Sequence, residues 1–231
     1  MKPPPFSDEE IERYSRQILL REVGGRGQRR LLAAAPVLFC TDAVGELAAS
    51  YLLRAGVLRL GVFTDAPQLG ALAERLRDEG PPPARPRVAP LASAPPRLRE
   101  RVAEAPGFTL VLLAPDAPGD PAAADGDDGG GDGDGDGDGA IVGDLFFARC
   151  TGDRAIVGGG ADGLRAACRE LGAGPAAPGA GDAAALTGSA LALLVVQRLL
   201  GLPTPRRLRI DTGQPAAPFA VEPAQGGQTA T

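Results

Sequence analysis

The sequence predicts an α/β fold: a mainly parallel sheet flanked by helices, with a C-terminal hairpin and a long closing helix. Three observations predict it. Residues 37–63 read as strand, turn, helix and strand, with apolar runs at 37–40 and 58–63 around a helical stretch at 46–56. Residues 108–113 are continuously apolar, as in a strand of a parallel sheet covered on both faces. Residues 183–201 are long and apolar enough to form a buried or partner-facing helix.

The elements follow in order. Ser7-Asp8-Glu9-Glu10 has an N-cap, acidic first-turn residues and Glu10 in the capping-box position, so a helix should run to about Leu20. A turn-rich break at 24–28 precedes a second short helix over 27–35, stopped by Pro36. The strand–helix–strand unit comes next. Leu69, Leu72 and Leu76 have helical spacing, which Gly80 and Pro81-Pro82-Pro83 end. A short strand is expected over 87–91, and a helix over 96–105 with Pro96 at its start. After the buried strand, the Gly-Asp alternation within 117–139 cannot bury a core and reads as a flexible loop. It lacks the apolar position that a calcium-binding β-roll repeat needs. A hairpin across Thr151-Gly152-Asp153, a helix over 162–171, the long helix and a last strand at 208–211 complete the chain, with a polar, frayed tail. One domain is expected over 1–231, with 1–35 as its N-terminal helical segment.

Composition narrows the chemistry. The chain has 231 residues, 44% of them hydrophobic, and a net charge of −5. The arginines at 97, 99, 101, 206, 207 and 209 read as solvated element ends, with phosphate contact as the alternative. No clustered basic face with stacking aromatics is present, so no nucleic-acid partner is expected. There is no histidine, which removes every His-based base, nucleophilic pair or metal ligand. The three cysteines, Cys40, Cys150 and Cys168, have no C-x-x-C spacing and suit a reducing, cytoplasmic setting rather than a zinc site. Cys150 and Cys168 read as small buried apolar residues. The N-terminus does not read as a signal peptide, and Gly, Ser, Gln and Arg interrupt the run 186–202, so no membrane partner is expected.

Three segments carry a family resemblance. The first is RYSRQILL…G..GQ..L at 13–31. The second is the strand–turn–helix ending Ala49-Ser50-Tyr51-Leu52-Leu53-Arg54-Ala55-Gly56-Val57. The third is TGSALALLVVQRLLGL at 187–202. Together they resemble the ThiF/MoeB/HesA family, relatives of ubiquitin-activating enzymes. The resemblance implies a Rossmann-like fold, ATP and magnesium as ligands, a dimer, and adenylation of the C-terminal glycine of a small ubiquitin-like protein.

The residues that should serve that chemistry depart from the family pattern. The phosphate turn of the family is Gly-x-Gly-Gly-x-Gly, and its glycines fall on Thr41, Ala43, Val44 and Glu46, around Gly45. Glycine permits positive φ and close approach of backbone N–H groups to phosphate. Side chains obstruct that approach, and Asp42 and Glu46 add negative charge, so the segment reads as a capped helix start. The ribose-binding Asp falls on Thr64, with Asp65 one residue later; Asp65-Ala66-Pro67 also reads as an ordinary turn. Of an Asn-x-x-Arg-Gln motif that grips phosphate, only Arg75 remains, and a solvated helix face is the competing reading. The magnesium-binding Asp falls on Asp116, beside two prolines, where a turn is the alternative. Arg16 matches the arginine that the family sends across its dimer to the other subunit's ATP; it equally fits a motif that only packs the N-terminal helix.

The expectation is therefore a pseudo-enzyme with no bound cofactor. It would act as a homodimer, or as a heterodimer with an active relative, or by binding a small ubiquitin-like or peptide partner. The alternative is a divergent adenylyltransferase using ATP and magnesium with Asp116, Arg75 and Arg16. A dinucleotide-dependent oxidoreductase ranks last, because its Gly-x-Gly-x-x-Gly is equally absent.

Overall fold

A computed structural model describes residues 5–40, 42–65, 67, 69–113, 144–172, 181–213 and 219–223. Thr41, Ala66, Asp116 and the Gly-Asp run lie outside them, so the expectations for Thr41, Asp116 and 117–139 are not addressed structurally.

The chain opens with α1 (Asp8–Ile18) and α2 (Gly24–Ala33). The capping box of α1 forms as expected. The Glu10 N–H donates to Ser7 Oγ at 3.2 Å, and the Ser7 N–H donates to Glu10 Oε2 at 2.9 Å. The expected glycine-rich break is instead the first turn of α2, begun by Gly24 at φ 57°. There follow β1 (Val37–Cys40), α3 (Ala43–Arg54), β2 (Gly61–Thr64), α4 (Leu69–Glu79) and β3 (Arg87–Pro90). The β2 strand begins later than the apolar run suggests. The Leu58 and Leu60 carbonyls accept from Arg85 and Arg87 N–H groups, and ladder pairing with β1 starts only at Gly61.

Next come α5 (Pro96–Ala103), β4 (Thr109–Leu113), β5 (Asp144–Thr151), β6 (Arg154–Gly159), α6 (Ala161–Leu171), α7 (Gly181–Leu200), β7 (Arg207–Asp211) and β8 (Phe219–Glu222). The β5–β6 hairpin turns at Gly152, with φ 62°, where sequence placed it. The expected frayed tail contains a strand instead: β8 pairs antiparallel with β7 from Ile210↔Phe219 to Arg207↔Glu222.

All eight described strands join one sheet, in the order β3-β2-β1-β4-β5-β6-β7-β8. It is Rossmann-like but mixed. β1, β2 and β3 are parallel, whereas β4 runs antiparallel to both β1 and β5. This corrects the mainly parallel expectation. An apolar run covered on both faces looks the same in either direction, so its pattern never fixed the direction of β4.

Helices cover both faces. On one, Ala48, Leu52, Leu72, Leu76, Leu191 and Val195 of α3, α4 and α7 pack over Leu38, Val62 and Val111. On the other, Leu98 and Val102 of α5 and Leu164 and Ala167 of α6 pack against Phe39, Phe108 and Phe147. The 20-residue α7 has the length and composition to cross a membrane, at mean hydropathy 1.7. Its Ala183, Thr187, Leu191 and Val195 are nonetheless wholly buried in this core. Gly188 allows that packing. A Cβ there would stand 2.7 Å from the Val44 carbonyl oxygen and 2.9 Å from Leu47 Cβ, so α7 lies directly on the first turns of α3.

Candidate functional site

Asp42 decides the local structure at the end of β1. Its extended backbone (φ −149°, ψ 177°) places it as the N-cap of α3, and its Oδ1 accepts from the Gly45 N–H at 3.3 Å. The Thr109 hydroxyl, from the start of β4, donates to the same oxygen at 3.1 Å. A short acceptor side chain before a helix does this wherever a free first-turn N–H is in reach. The helix therefore starts at Ala43, three residues before the sequence suggested. Burial holds the Asp42 carboxyl above its ordinary value, against the opposing pull of its hydrogen bonds from Gly45 and Thr109.

The other site candidates group around this cap. Val44 and Gly45 are buried, Ala43 is exposed, and Glu46 is half-buried. Glu46 carries an ion pair with Arg75, reaching across from α4. The structure thus brings Arg75 to the turn, where its charge meets a carboxylate of the chain itself. Asp65 follows β2 and is exposed. Thr64, in the ribose-aspartate position, is buried and hydrogen-bonds the Cys40 thiol, which burial pushes up to about 12. Cys150 and Cys168 are likewise raised, chiefly by burial, which opposes thiolate chemistry. Among the described residues no cluster of three or more His, Cys, Asp or Glu could hold a metal.

Gly45 stands for a different reason than phosphate. A Cβ on it would lie 1.9 Å from Cys40 Cβ, so only glycine lets α3 start this close to β1. Sequence reasoning named Gly45 as part of the turn but missed this packing role. Nothing short of the packed helix–strand contact reveals it.

At this turn the Gly45 N–H donates to Asp42, and the nearby Arg75 guanidinium is paired with Glu46. An anion approaching the start of α3 would compete with these contacts and meet the Asp42 and Glu46 carboxylates.

The N-terminal motif is built differently. Tyr14, 2% exposed, and fully buried Gln28 close on Gly56, whose φ of 103° ends α3. A Cβ at Gly56 would stand 2.5 Å from Gln28 Nε2 and 3.2 Å from Tyr14 Cε1. Gln28 donates from Nε2 to the Ala55 carbonyl at 3.2 Å. Further along α2, Arg30 donates to the Leu200 carbonyl at 2.9 Å, tying the first resembling segment to the third. Arg16 is exposed and makes no ion pair with any described residue. Tyr14 and Gln28 therefore account for packing, while Arg16 is left to solvent.

The arginines near the C-terminus are engaged rather than merely solvated. Arg209 binds Glu170 through Nε and Nη2, at 2.8 and 3.0 Å. Arg207 binds Glu222 through Nε and Nη2, at 3.1 and 2.7 Å. These pairs fasten β8 and α6 to β7, and they hold Glu170 and Glu222 below the ordinary glutamate range.

The end of one strand, a helix N-terminus beside it and a covered mixed sheet define a Rossmann-like fold. Known proteins agree. In sequence the chain is 50% identical over 66 residues to the adenylyltransferase and sulfurtransferase MOCS3 of Mus musculus, a match covering 26% of this chain and 14% of that protein. It is 42% identical over 57 residues to the sulfur carrier protein adenylyltransferase of Thermus thermophilus, covering 25% of this chain and 21% of that one. The matched stretch is thus about a fifth or less of those relatives' length. No protein-family model matches the chain. In structure it is similar to PaaA, with a TM-score of 0.59 at 13% identity over 96% of this chain and 86% of that one. It is also similar to E. coli MccB in complex with MccA, with a TM-score of 0.56 at 10% identity over 99% of this chain and 75% of that one. The chain is accordingly similar to the sulfur-carrier and MOCS3-type adenylyltransferases over a short stretch of sequence, and to MccB and PaaA in fold over nearly its whole length.

Proposed function

We propose that this chain is a ThiF/MoeB-like subunit without ATP-dependent adenylation of its own. It acts as the non-catalytic member of a homodimer or heterodimer, or as a module that binds a small ubiquitin-like, sulfur-carrier or peptide partner. One observation carries the reading: the first turn of α3 is capped by the chain's own Asp42, with Glu46 and Arg75 neutralising each other beside it. A helix N-terminus binds an anion through free N–H groups and an unopposed positive end. Here the Gly45 N–H is taken by Asp42, and the Glu46 carboxylate lies in the first turn. In the dimer, exposed Arg16 remains free to serve a partner's site.

Isothermal titration of the purified chain with ATP and magnesium tests the first half. No saturable heat is expected, and micromolar affinity contradicts the reading. The second half is tested by mixing the chain with an intact ThiF/MoeB-type relative. Arg16→Ala should then lower the relative's pyrophosphate exchange without changing the fold of either chain.

The alternative is a divergent adenylyltransferase, in line with the activity named for the sequence relatives. The presence of Arg75 at the turn favours it. Pyrophosphate exchange by the chain alone, dependent on a carrier ending in Gly-Gly and abolished in Asp116→Ala, would establish that reading instead.

A further inference from the structure

Charge is unevenly divided along the chain. Residues 114–143 carry nine aspartates, from Asp116 to Asp138, and no lysine or arginine. The rest of the chain therefore carries +4, against −5 for the whole.

The fold fixes where that acidic segment leaves and returns. Leu113 closes β4, Asp144 opens β5, and the two residues pair with each other. Leu112 pairs in turn with Val37 at the start of β1. Both ends of the segment thus lie at the end of the sheet where α2 leads into β1. Asp144 is held there by Arg198 of α7, through Nε at 2.6 Å and Nη2 at 3.2 Å. Two residues on, the Leu200 carbonyl accepts from Arg30 of α2. Leu200 also lies against Gly27, where a Cβ would stand 2.7 Å from its Cδ2. Direct contacts therefore lead from the segment's return point to one face of α2.

That face is basic and not neutralised by the described residues. Arg26 and Arg30 stand one turn apart on it, and both are exposed. Arg59, just before β2, is exposed and donates to the Ala33 carbonyl at the end of α2. None of the three makes an ion pair with a described residue. Arg30 caps the end of α7, which uses one of its five N–H donors, and a carbonyl leaves the guanidinium its full charge. Arg26 has no hydrogen bond or ring contact among the described residues. The acids Glu9 and Glu12 share a cleft with Leu32, which is set about half a turn round α2 from Arg30.

We infer that the face formed by Arg26, Arg30 and Arg59 docks the chain's own aspartate run, residues 125–139. The pairing of Asp144 with Arg198 is its first step. Asp138 and Asp136 precede Asp144 by six and eight residues, a reach of up to roughly 20 and 26 Å, enough to pass Leu200 and meet Arg30 and Arg26. Gly-Asp alternation sets a carboxylate at every second residue with no side chain between, so successive acids address exposed guanidiniums without needing apolar cover. Single exposed pairs are weak, but tethering supplies the acids at an effective concentration of the order of millimolar. Docked, the run shields these arginines from other polyanions. The inference is independent of whether the start of α3 holds ATP.

The test is fluorescence anisotropy, at low ionic strength, of a fluorescein-labelled peptide with the sequence of residues 125–139. It is titrated with the full chain and with the full-length variant Asp132→Asn/Asp134→Asn/Asp136→Asn/Asp138→Asn. Saturable binding to the variant is expected, and binding about tenfold weaker to the unaltered chain, whose own run competes. Adding Arg26→Glu/Arg59→Glu to the variant should weaken binding about tenfold. Adding Arg77→Glu/Arg99→Glu, the same charge reversal at exposed positions of α4 and α5, should not. Circular dichroism should be unchanged in both, since all four sites are exposed. The inference is overturned by equal binding to the unaltered chain and the variant, by equal loss in the two arginine pairs, or by a variant that binds an oligonucleotide but not the peptide.

Discussion

The two ends of α3 are built on opposite terms. At its C-terminal end Tyr14, Gln28 and Gly56 interlock, and each residue type is demanded by a neighbour. At its N-terminal end, the positions where the resemblance implies glycine carry Thr41, Ala43, Val44 and Glu46. The glycine that does stand there, Gly45, is required by Cys40. The difference teaches a rule for this molecule. At these two ends glycine stands where the chain has no room for a Cβ, at Gly45 and Gly56, while the positions that the resemblance assigns to phosphate carry side chains. On the proposed reading, the fold keeps its internal requirements without the external one.

The largest test of that rule is Gly45→Val. If packing alone holds the glycine, the substitution should cost about 3 kcal/mol in urea unfolding. Unchanged stability in that variant would mean that β1 and α3 can part, and the comparison would fail. Gly56→Ala should cost about 2 kcal/mol, because its φ of 103° disfavours a side chain and Gln28 stands in the way. Asp42→Ala should cost about 1 kcal/mol through loss of the cap. It should leave ATP binding undetected in the same titration, since Glu46 still holds Arg75. Nucleotide binding restored by that one change would show that the turn is blocked only by its cap.

The smallest effects are in pH dependence, and they have opposite signs. Asp42 is raised on folding, so its share of stability is present below its ordinary value of 3.8 and declines as pH rises through the raised value. Asp42→Asn should remove that decline. Glu170 and Glu222 are lowered, so their share is present above their ordinary value of 4.5 and is lost as pH falls through the lowered values. Glu170→Gln/Glu222→Gln should flatten the acid limb. Urea midpoints across a pH series read both, and a limb unchanged in the double variant would detach β8 from these ion pairs.

Much of this was legible from the residues. The Ser7–Glu10 box, the Gly152 turn, the span of α6 and the burial of α7 follow from local chemistry and periodicity, which neighbours in sequence supply. The start of α3 was half legible, because Asp42 was recognised as part of a capped helix start while the helix was begun at Glu46. The direction of β4 was not legible, since burial on both faces erases the alternation that orients a strand. Nor was β8, whose four residues become a strand only by adding to the edge of β7 and pairing with its arginines.

By itself, then, the sequence determined the helices, the order of most strands and the lack of glycines at the phosphate-turn positions. Those depend on side chains close together in the chain. The tertiary structure decided that Arg75 meets Glu46, that Thr109 bonds Asp42, and that Cys40 excludes a side chain at Gly45. Each joins residues whose meeting depends on how strands and helices are laid against one another. That arrangement is set by the shared burial of apolar faces, which no local pattern records.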